Sequence, residues 1–187
     1  MADYKRNLNT VIVELGQLFD RLDESELENL VQAILECGTV FAAAAGRSGM
    51  LLRCAAMRLM HMGKPAYVVG EIVTPPIHPG DVLLIASGSG ETGSLVSMAK
   101  KAKGLGARVA LVTANPQSTI AGLADVVVKL PAPTPKAEIR DYVASVQPMG
   151  NLFEQSMFIT LDAVVMELMA RLGKTSEMMF TRHANLE

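Results

Sequence analysis

The sequence predicts an α/β protein of the three-layer sandwich type, with a parallel β-sheet between two layers of helices. Five short, continuous apolar runs alternate along the chain with stretches in which apolar residues recur at helical spacing. Strands that are apolar throughout, rather than at every second position, are typical of parallel sheets buried on both faces.

The predicted elements follow one another in a simple order. Two helices come first. One lies around 8–19, and the second begins at a cap formed by Asp23 or Ser25 and ends at Gly38. Because two helices before the first strand compete for the faces of a small sheet, we expect the first helix to pack on a partner subunit. The strands are predicted at 39–45, 65–69, 82–86, 107–113 and 125–130, with helices at 50–62 and after residue 93. A proline-containing loop at 131–148, either a lid or a surface wrap, precedes a long helix at 148–172, a short helix and a polar tail.

Composition narrows the possible functions. The 187 residues are 50% hydrophobic and 19% charged, which predicts one folded domain. A net charge of −2 without a basic cluster disfavours nucleic acid as a partner. No apolar run reaches membrane-spanning length without charges or glycines and no signal peptide is recognised, so a cytoplasmic protein is expected. The two cysteines fit neither a disulfide framework nor a metal-ligand spacing, so no metal is expected.

A glycine- and serine-rich segment after the third strand is the clearest candidate binding site. Residues 87–92, SGSGET, hereafter the phosphate loop, stand between a buried strand and the start of a helix. Glycines allow a ligand to approach the backbone, and a helix N-terminus favours an anion. Ser87, Ser89 and Thr92 add three hydroxyl donors. A small phosphate monoester is therefore the favoured ligand, and a glycine-rich turn without a ligand is the alternative.

The same segment also matches the dinucleotide fingerprint G-x-G-x-x-G through Gly88, Gly90 and Gly93. That fingerprint needs an acidic residue at the end of the next strand to bind a ribose. The residues there are Ala-Asn-Pro at 114–116, and the loop follows the third strand rather than the first. NAD and FAD are therefore disfavoured, and no cofactor is expected.

One carboxylate falls on an apolar helix face. A helical-wheel count at about 100° per residue places Glu154 in the middle of an apolar stripe on the last long helix. The stripe contains Phe158, Leu161, Val165, Leu168 and Leu172, whereas Thr160, Glu167 and Arg171 are predicted on the polar side. A carboxylate directed at a core is unfavourable unless it is paired or used chemically. Glu154 is therefore either a catalytic base or a residue at the rim of the core that pairs with Arg47 or Arg58.

Six segments of the chain resemble the SIS (sugar isomerase) domain family and, within it, the 6-phospho-3-hexuloisomerases. They are AGRSG (45–49), MRLMHMG (57–63), VGEI-x-TPP (69–76), SGSGET (87–92), QPMG-x-LFEQ (147–155) and MFTRHANLE (179–187). The resemblance implies a single SIS domain over 1–187. Its parts would be N-terminal helices (1–37), an α/β core (38–130), the loop (131–148) and C-terminal helices with the tail (149–187). It also implies five parallel strands in the order 2-1-3-4-5, and a homotetramer with sites near subunit interfaces.

By position, the resemblance also implies roles for individual residues. Ser87, Ser89 and Thr92 would hold the phosphate, and Ser48 with the backbone of Gly46 and Gly49 would meet the sugar. Gly88, Glu91 and Arg47 complete the predicted substrate- and phosphate-binding set, with pairing to Glu71 or Glu154 as the alternative for Arg47. Glu154 would be the base. His183, from a neighbouring subunit, and His61 are the other catalytic candidates; the alternatives are a frayed tail for His183 and a core or helix-end histidine for His61.

The implied reaction interconverts D-arabino-3-hexulose 6-phosphate and fructose 6-phosphate through a 2,3-enediol, as a step of formaldehyde fixation through ribulose monophosphate. A single carboxylate can carry the proton between the two carbons. Two alternatives stay open: an isomerase of another sugar phosphate, of the arabinose 5-phosphate or heptose phosphate type, and a non-catalytic sugar-phosphate sensor. A carboxylate on an apolar face argues against the sensor, because binding alone needs no base there.

Overall fold

The helices and strands lie close to their predicted positions in the computed structural model, which describes residues 3–186. The helices are α1 (Tyr4–Phe19), α2 (Glu24–Glu36), α3 (Gly46–Met62), α4 (Gly93–Gly104), α5 (Asn151–Leu172) and α6 (Ser176–Phe180), with a 3₁₀ turn at Ala121–Leu123. The strands are β1 (Val40–Ala44), β2 (Ala66–Val68), β3 (Val82–Ala86), β4 (Arg108–Thr113) and β5 (Val126–Lys129). Each predicted strand is present within one residue at either end.

The five strands form one parallel sheet in the order β2-β1-β3-β4-β5. This confirms the predicted fold class and the strand order that the family resemblance implies. β1 and β3 run in register to their carboxyl ends, where Ala44 pairs with Ala86. The strand order reverses between these two strands, and open α/β sheets bind ligands at such a point, beyond the carboxyl ends of the strands.

Helices cover both faces of the sheet because the strands present apolar side chains to both sides. In β1, Val40 joins the core cluster formed with α1, α2, α3 and α5, whereas Phe41 joins the cluster formed with α4. The same alternation places Leu84 and Ile85 of β3 on opposite sides. This is the three-layer arrangement that continuous apolar runs predict.

The two N-terminal helices pack on their own chain. The side chain of Asp23 caps α2, as predicted. α1 contacts α5 and buries Leu15 and Leu18, while on its outer side Leu8 and Ile12 are 65% and 68% exposed. Packing of α1 on a partner subunit stays a prediction, and these two exposed side chains are the ones it concerns.

The segment GRSG, predicted as a loop before a helix at 50–62, is instead the first turn of α3, which begins at Gly46. Gly46 has a φ of +59°, in the left-handed region that favours glycine, and so makes the sharp turn from β1 into the helix. At Gly49 a Cβ would stand 3.0 Å from the carbonyl oxygen of Ala44. These glycines hide the helix start in the sequence, because glycine lowers helix propensity.

α5 buries a face that is rotated from the predicted one. Thr160, predicted on the polar side, is 3% exposed, whereas Leu172, predicted in the apolar stripe, is 47% exposed. The middle of the buried face runs through Met157 and Val164, so Glu154 lies roughly 70° away from it, at the edge. The predicted wheel was wrong because apolar residues occur on most sides of α5, so that hydrophobicity alone does not locate the buried face.

The loop 131–148 contains no helix or strand, and its last residues are tied to α1. The buried carboxylate of Glu14 accepts hydrogen bonds from Ser145 Oγ at 2.6 Å and from the Val146 N–H at 2.9 Å. Burial alone would raise the pKa of Glu14, but these bonds and one from Gln147 together hold that pKa below its usual value. The segment that leads into α5 is therefore anchored by an ionised carboxylate.

Three further observations concern residues 3–186 alone. No helix there is long and apolar enough to span a membrane. No group of three or more histidine, cysteine or acidic side chains is placed so that it could hold a metal ion. Both cysteines, Cys37 and Cys54, are free thiols.

Candidate active site

A cavity of about 220 Å³ opens at the carboxyl ends of β1 and β3, where the strand order reverses. It brings together the first turn of α3, the phosphate loop, the first turn of α5 and part of the loop 131–148. Of the residues predicted at the site, Gly46, Arg47, Ser48, Ser87, Gly88, Ser89, Thr92 and Glu154 line it. The GRSG segment and the phosphate loop therefore share one crevice.

Three helix N-termini meet at this cavity, and none of them is capped by a side chain. The N-cap residues of α3, α4 and α5 are Ala45, Thr92 and Gly150, and all three line the cavity. Side chains do cap the other three α-helices, through Asp3, Asp23 and Thr175. The free N–H groups and the dipoles of the open helix ends make the cavity favourable for an anion such as phosphate.

The phosphate loop supplies hydroxyl donors to the same cavity. Ser87 Oγ accepts a hydrogen bond from the Gly90 N–H at 3.1 Å, and Ser89 Oγ accepts one from the Glu91 N–H at 3.2 Å. An accepting hydroxyl keeps its own O–H, so both serines retain a donor for a ligand. The Thr92 hydroxyl, which does not cap its own helix, adds a third.

The three glycines of the dinucleotide-like pattern differ in how much space surrounds them, and therefore in why a side chain would or would not fit. Gly90 has a φ of +65°, and a Cβ there would stand 1.9 Å from Ser118 Oγ. At Gly88 a Cβ would stand 3.3 Å from the ring of Phe153, whereas at Gly93 it would meet nothing within 4 Å. In dinucleotide-binding loops the third glycine permits close helix–strand packing. Gly93 has no such close packing, and that a dinucleotide is disfavoured stays a prediction.

Two of the residues predicted to contact the ligand lie outside the cavity lining. The Glu91 carboxylate accepts a hydrogen bond from the Thr119 N–H at 2.6 Å, and this bond holds the pKa of Glu91 below its usual value. Gly49 packs against Ala44 and lines a neighbouring cavity instead. Adjacent residues of a loop or a helical turn face different directions, so membership of a motif does not place every residue at the ligand.

The candidate base lies inside the cavity as one half of an ion pair. Arg47 Nη1 donates to Glu154 Oε2 at 2.7 Å and also to the side-chain oxygen of Asn151. The Glu154 side chain is 17% exposed and that of Arg47 is 43% exposed. Glu154 belongs to the first turn of α5, where the helix dipole favours a carboxylate. Glu154 thus pairs with Arg47 at the rim of the core, one of the two partners predicted, and is also open to the cavity.

Nine lining residues of the cavity were not predicted at the site, and four of them lie just before the start of α5 or in the loop 131–148. Thr134, Pro135 and Lys136 come from the loop 131–148, and Met149 directly precedes the N-cap of α5. Met149 has a φ of +58°, a conformation that is rare outside glycine and that tends to occur at functional sites. Its only signal in the sequence is its place in the QPMG-x-LFEQ segment. The three loop residues carry no signal, because a contact through irregular backbone leaves no periodicity.

His61 and His183 lie together but away from Glu154. Their rings stack with centroids 5.5 Å apart. Burial, the Arg58 guanidinium and the neighbouring His183 all lower the pKa of His61. His61 stands 15 residues after Gly46 on α3, which is about 22 Å along the helix at 1.5 Å per residue. Within one chain the two histidines therefore do not reach the cavity.

Comparisons with known proteins agree with this architecture. The model of the SIS domain matches residues 33–164. The 3-hexulose-6-phosphate isomerase of Bacillus subtilis is 46% identical over 177 residues, 95% of each chain, and that of Mycobacterium gastri is 45% identical over 99% of this chain and 92% of its own. A crystal structure from Methanococcus jannaschii, from which a function of 3-hexulose-6-phosphate isomerase was inferred, covers 97% of this chain and 99% of its own, with a TM-score of 0.84 and 33% identity. By the matched domain and by similarity over nearly its whole length, the chain belongs to the SIS domain family.

Proposed function

We propose that the protein is a 3-hexulose-6-phosphate isomerase, also called 6-phospho-3-hexuloisomerase. It interconverts D-arabino-3-hexulose 6-phosphate and fructose 6-phosphate, in the cytoplasm, as a step of formaldehyde fixation through ribulose monophosphate. The observation that carries the proposal is that Glu154, a mostly buried carboxylate, shares one cavity with an anion-binding loop. The relatives with 45–46% identity narrow the substrate to this pair of ketose phosphates.

The reaction moves the carbonyl of the sugar between C3 and C2. Glu154 takes the proton from C2 of the 3-ketose, which leaves a 2,3-enediolate, and returns it to C3. One hydroxyl proton moves from the oxygen on C2 to the oxygen on C3, so the product is fructose 6-phosphate and no proton is gained or lost. Arg47 and Ser48 line the same cavity, and their donors would stabilise the negative charge of the enediolate.

The phosphate group is assigned to the phosphate loop and the open end of α4. Ser87, Ser89 and Thr92 would donate to its oxygens together with the free N–H groups of the first turn of the helix. Fixing that end of the substrate holds C2 and C3 at a constant distance from Glu154, which is how a positioned base gains its effect.

The two histidines enter the proposal through a second subunit. Two side chains that line a groove together with both histidines, Met166 and Phe180, are 70% and 74% exposed, an apolar face that another copy of the chain would cover. We extend the proposal to a homotetramer in which His183 of one subunit reaches the Glu154 site of another, with His61 orienting it by stacking.

Mixed oligomers test this arrangement. Glu154→Gln and His183→Ala chains would each be inactive alone but would regain activity when denatured and refolded together. Some sites would then combine an intact Glu154 from one chain with an intact His183 from the other. Mass measurement would establish that hybrids form. Hybrids without any recovered activity would remove His183 from the catalytic site.

Proton NMR of fructose 6-phosphate in D₂O tests the reaction itself. The wild-type protein should place deuterium at C3 and produce signals of the 3-ketose phosphate. Glu154→Gln should lower turnover by about 10²-fold or more while phosphate binding is kept. The matched control is Glu167→Gln, which changes an exposed glutamate of the same helix that pairs with Arg171; its turnover should equal that of the wild type.

Two other outcomes would contradict the proposal. Exchange at C1 instead of C3 would indicate a 1,2-enediol and therefore an aldose–ketose isomerase. Full activity of Glu154→Gln would remove Glu154 as the base.

A further inference from the structure

Three charged side chains line the cavity, Arg47, Glu154 and Lys136. Arg47 and Glu154 bond to each other at 2.7 Å, so their charges cancel locally. Lys136 is exposed and forms no salt bridge with any residue of the described range. Among the described residues, Lys136 is therefore the cation of this cavity whose charge no carboxylate neutralises.

The remaining donors of the cavity are neutral. The phosphate loop and the open helix ends offer hydroxyl and N–H groups, which carry only partial charges. A phosphate monoester carries a charge of about −1.5 to −2 near neutral pH. Moving such an anion out of water is unfavourable unless opposite charge or charge-assisted hydrogen bonds compensate. A lysine ammonium group that reaches the phosphate would supply that compensation.

The backbone of the loop holds Lys136 at the cavity. The Val143 N–H donates to the carbonyl oxygen of Pro131 at 2.8 Å, which closes residues 132–142 into a compact loop. The Asp141 carboxylate pairs with Lys129 Nζ at 3.0 Å and so fixes one side of the loop to the end of β5. Lys136 lies between these anchors and lines the cavity with its two predecessors.

We infer that Lys136 binds the phosphate group of the substrate and makes the site selective for phosphorylated over unphosphorylated sugars. The inference takes the sugar phosphate from the proposed function. It makes no use of the isomerisation step, so binding measurements test it independently of turnover.

The test is calorimetric titration of the full-length protein with fructose 6-phosphate, inorganic phosphate and fructose. Lys136→Met should lower the affinity for both phosphate ligands by about tenfold. This is the low end of the range for a hydrogen bond to a charged group, and we expect it because the site is open to solvent. Lys136→Arg should stay within about threefold of the wild type, since it keeps the charge. The matched control is Arg140→Met, which removes another exposed cation of the same loop that lies outside the cavity lining, and it should change affinity less than twofold.

Salt supplies a second readout. Raising the ionic strength from about 0.01 M to about 0.15 M should weaken phosphate binding to the wild type more than to Lys136→Met, because one charge pair is missing in the variant. The inference is overturned if Lys136→Met binds phosphate as the wild type does, if Arg140→Met weakens it equally, or if the wild type binds neither phosphate ligand. A protein that binds both ligands through Lys136 but does not exchange the C3 proton would overturn the proposed isomerase activity and leave the role of Lys136 supported.

Discussion

Gly90→Ala should lower the free energy of unfolding by about 2–4 kcal/mol, because two penalties coincide at this position. The residue has a φ of +65°, a left-handed conformation that costs an L-residue about 1–2 kcal/mol. The new Cβ would also stand 1.9 Å from Ser118 Oγ and 2.4 Å from Ser118 Cβ, and overpacking of this kind costs about 1–3 kcal/mol. The less flexible unfolded chain offsets about 0.4–1 kcal/mol of the sum.

Thermal unfolding measures the effect. For a chain of this size the expected change corresponds to a fall in melting temperature of roughly 5–15 °C. Gly104→Ala is the matched control, since Gly104 ends α4 and a Cβ there would meet nothing within 4 Å. It should melt at the wild-type temperature or slightly above, because alanine favours the helix.

A second substitution separates the two penalties. Ser118→Gly removes both atoms that the new Cβ would approach, so the double variant should keep only the conformational penalty of Gly90→Ala. The two changes should therefore couple by about 1 kcal/mol or more in a double-mutant cycle. If Gly90→Ala melts like Gly104→Ala, or if its effect simply adds to that of Ser118→Gly, the close approach is not the reason for this glycine.

Three further predictions concern a helix end, a buried carboxylate and a thiol. Ala45→Asp caps α3 and adds a negative charge to the lining of the cavity, so it should raise the free energy of unfolding by about 1 kcal/mol and weaken the binding of fructose 6-phosphate in calorimetry, and unchanged affinity would contradict the assignment of that helix end to the substrate. Glu14→Gln should be less stable than the wild type to urea at pH 7. Because the folded pKa of Glu14 is depressed, the difference should disappear as the pH falls below about 4.3 and through the folded pKa, and a difference that does not depend on pH would contradict the role of the charge. Burial raises the pKa of the Cys37 thiol, so a Cys54→Ser variant should react with a thiol reagent only as fast as it unfolds, and rapid labelling in native buffer would contradict this.

The order of elements is readable from the sequence because burial of a strand leaves a local pattern. All five residues of β3 are buried, and the sequence shows an unbroken apolar run that stops at the phosphate loop. Such runs contain no information on which strand lies beside which. The order of the strands came from the family resemblance, since a parallel sheet is built by crossovers between distant segments.

Contacts made through irregular segments are what the sequence does not predict. Gly90 is required by Ser118, which stands 28 residues later, and Lys136 enters the cavity because a loop closes between Pro131 and Val143. The sequence likewise does not predict which face of α5 is buried, because that depends on how α1 and α3 pack against the helix. Local patterns report burial, whereas these features depend on where distant backbone segments meet.

The open helix ends connect the stability of the fold with the binding proposed for it. A side-chain cap stabilises a helix by about 1 kcal/mol, so caps on the three open ends would together add about 3 kcal/mol to the free energy of unfolding. That is a large share of the total stability of a typical protein, about 5–15 kcal/mol. Thr92 stands at the N-cap of α4 and belongs to a residue type that caps helices well, yet its hydroxyl does not bond to the first turn. One sugar phosphate in the cavity, with its phosphate at α4 and its sugar near α3 and α5, would supply oxygens to the free N–H groups at these ends, and its binding would add stability in proportion to the logarithm of its concentration. The ends that weaken the unliganded protein are therefore the ones that would bind the substrate, and a variant that caps one of them should gain stability at the expense of affinity.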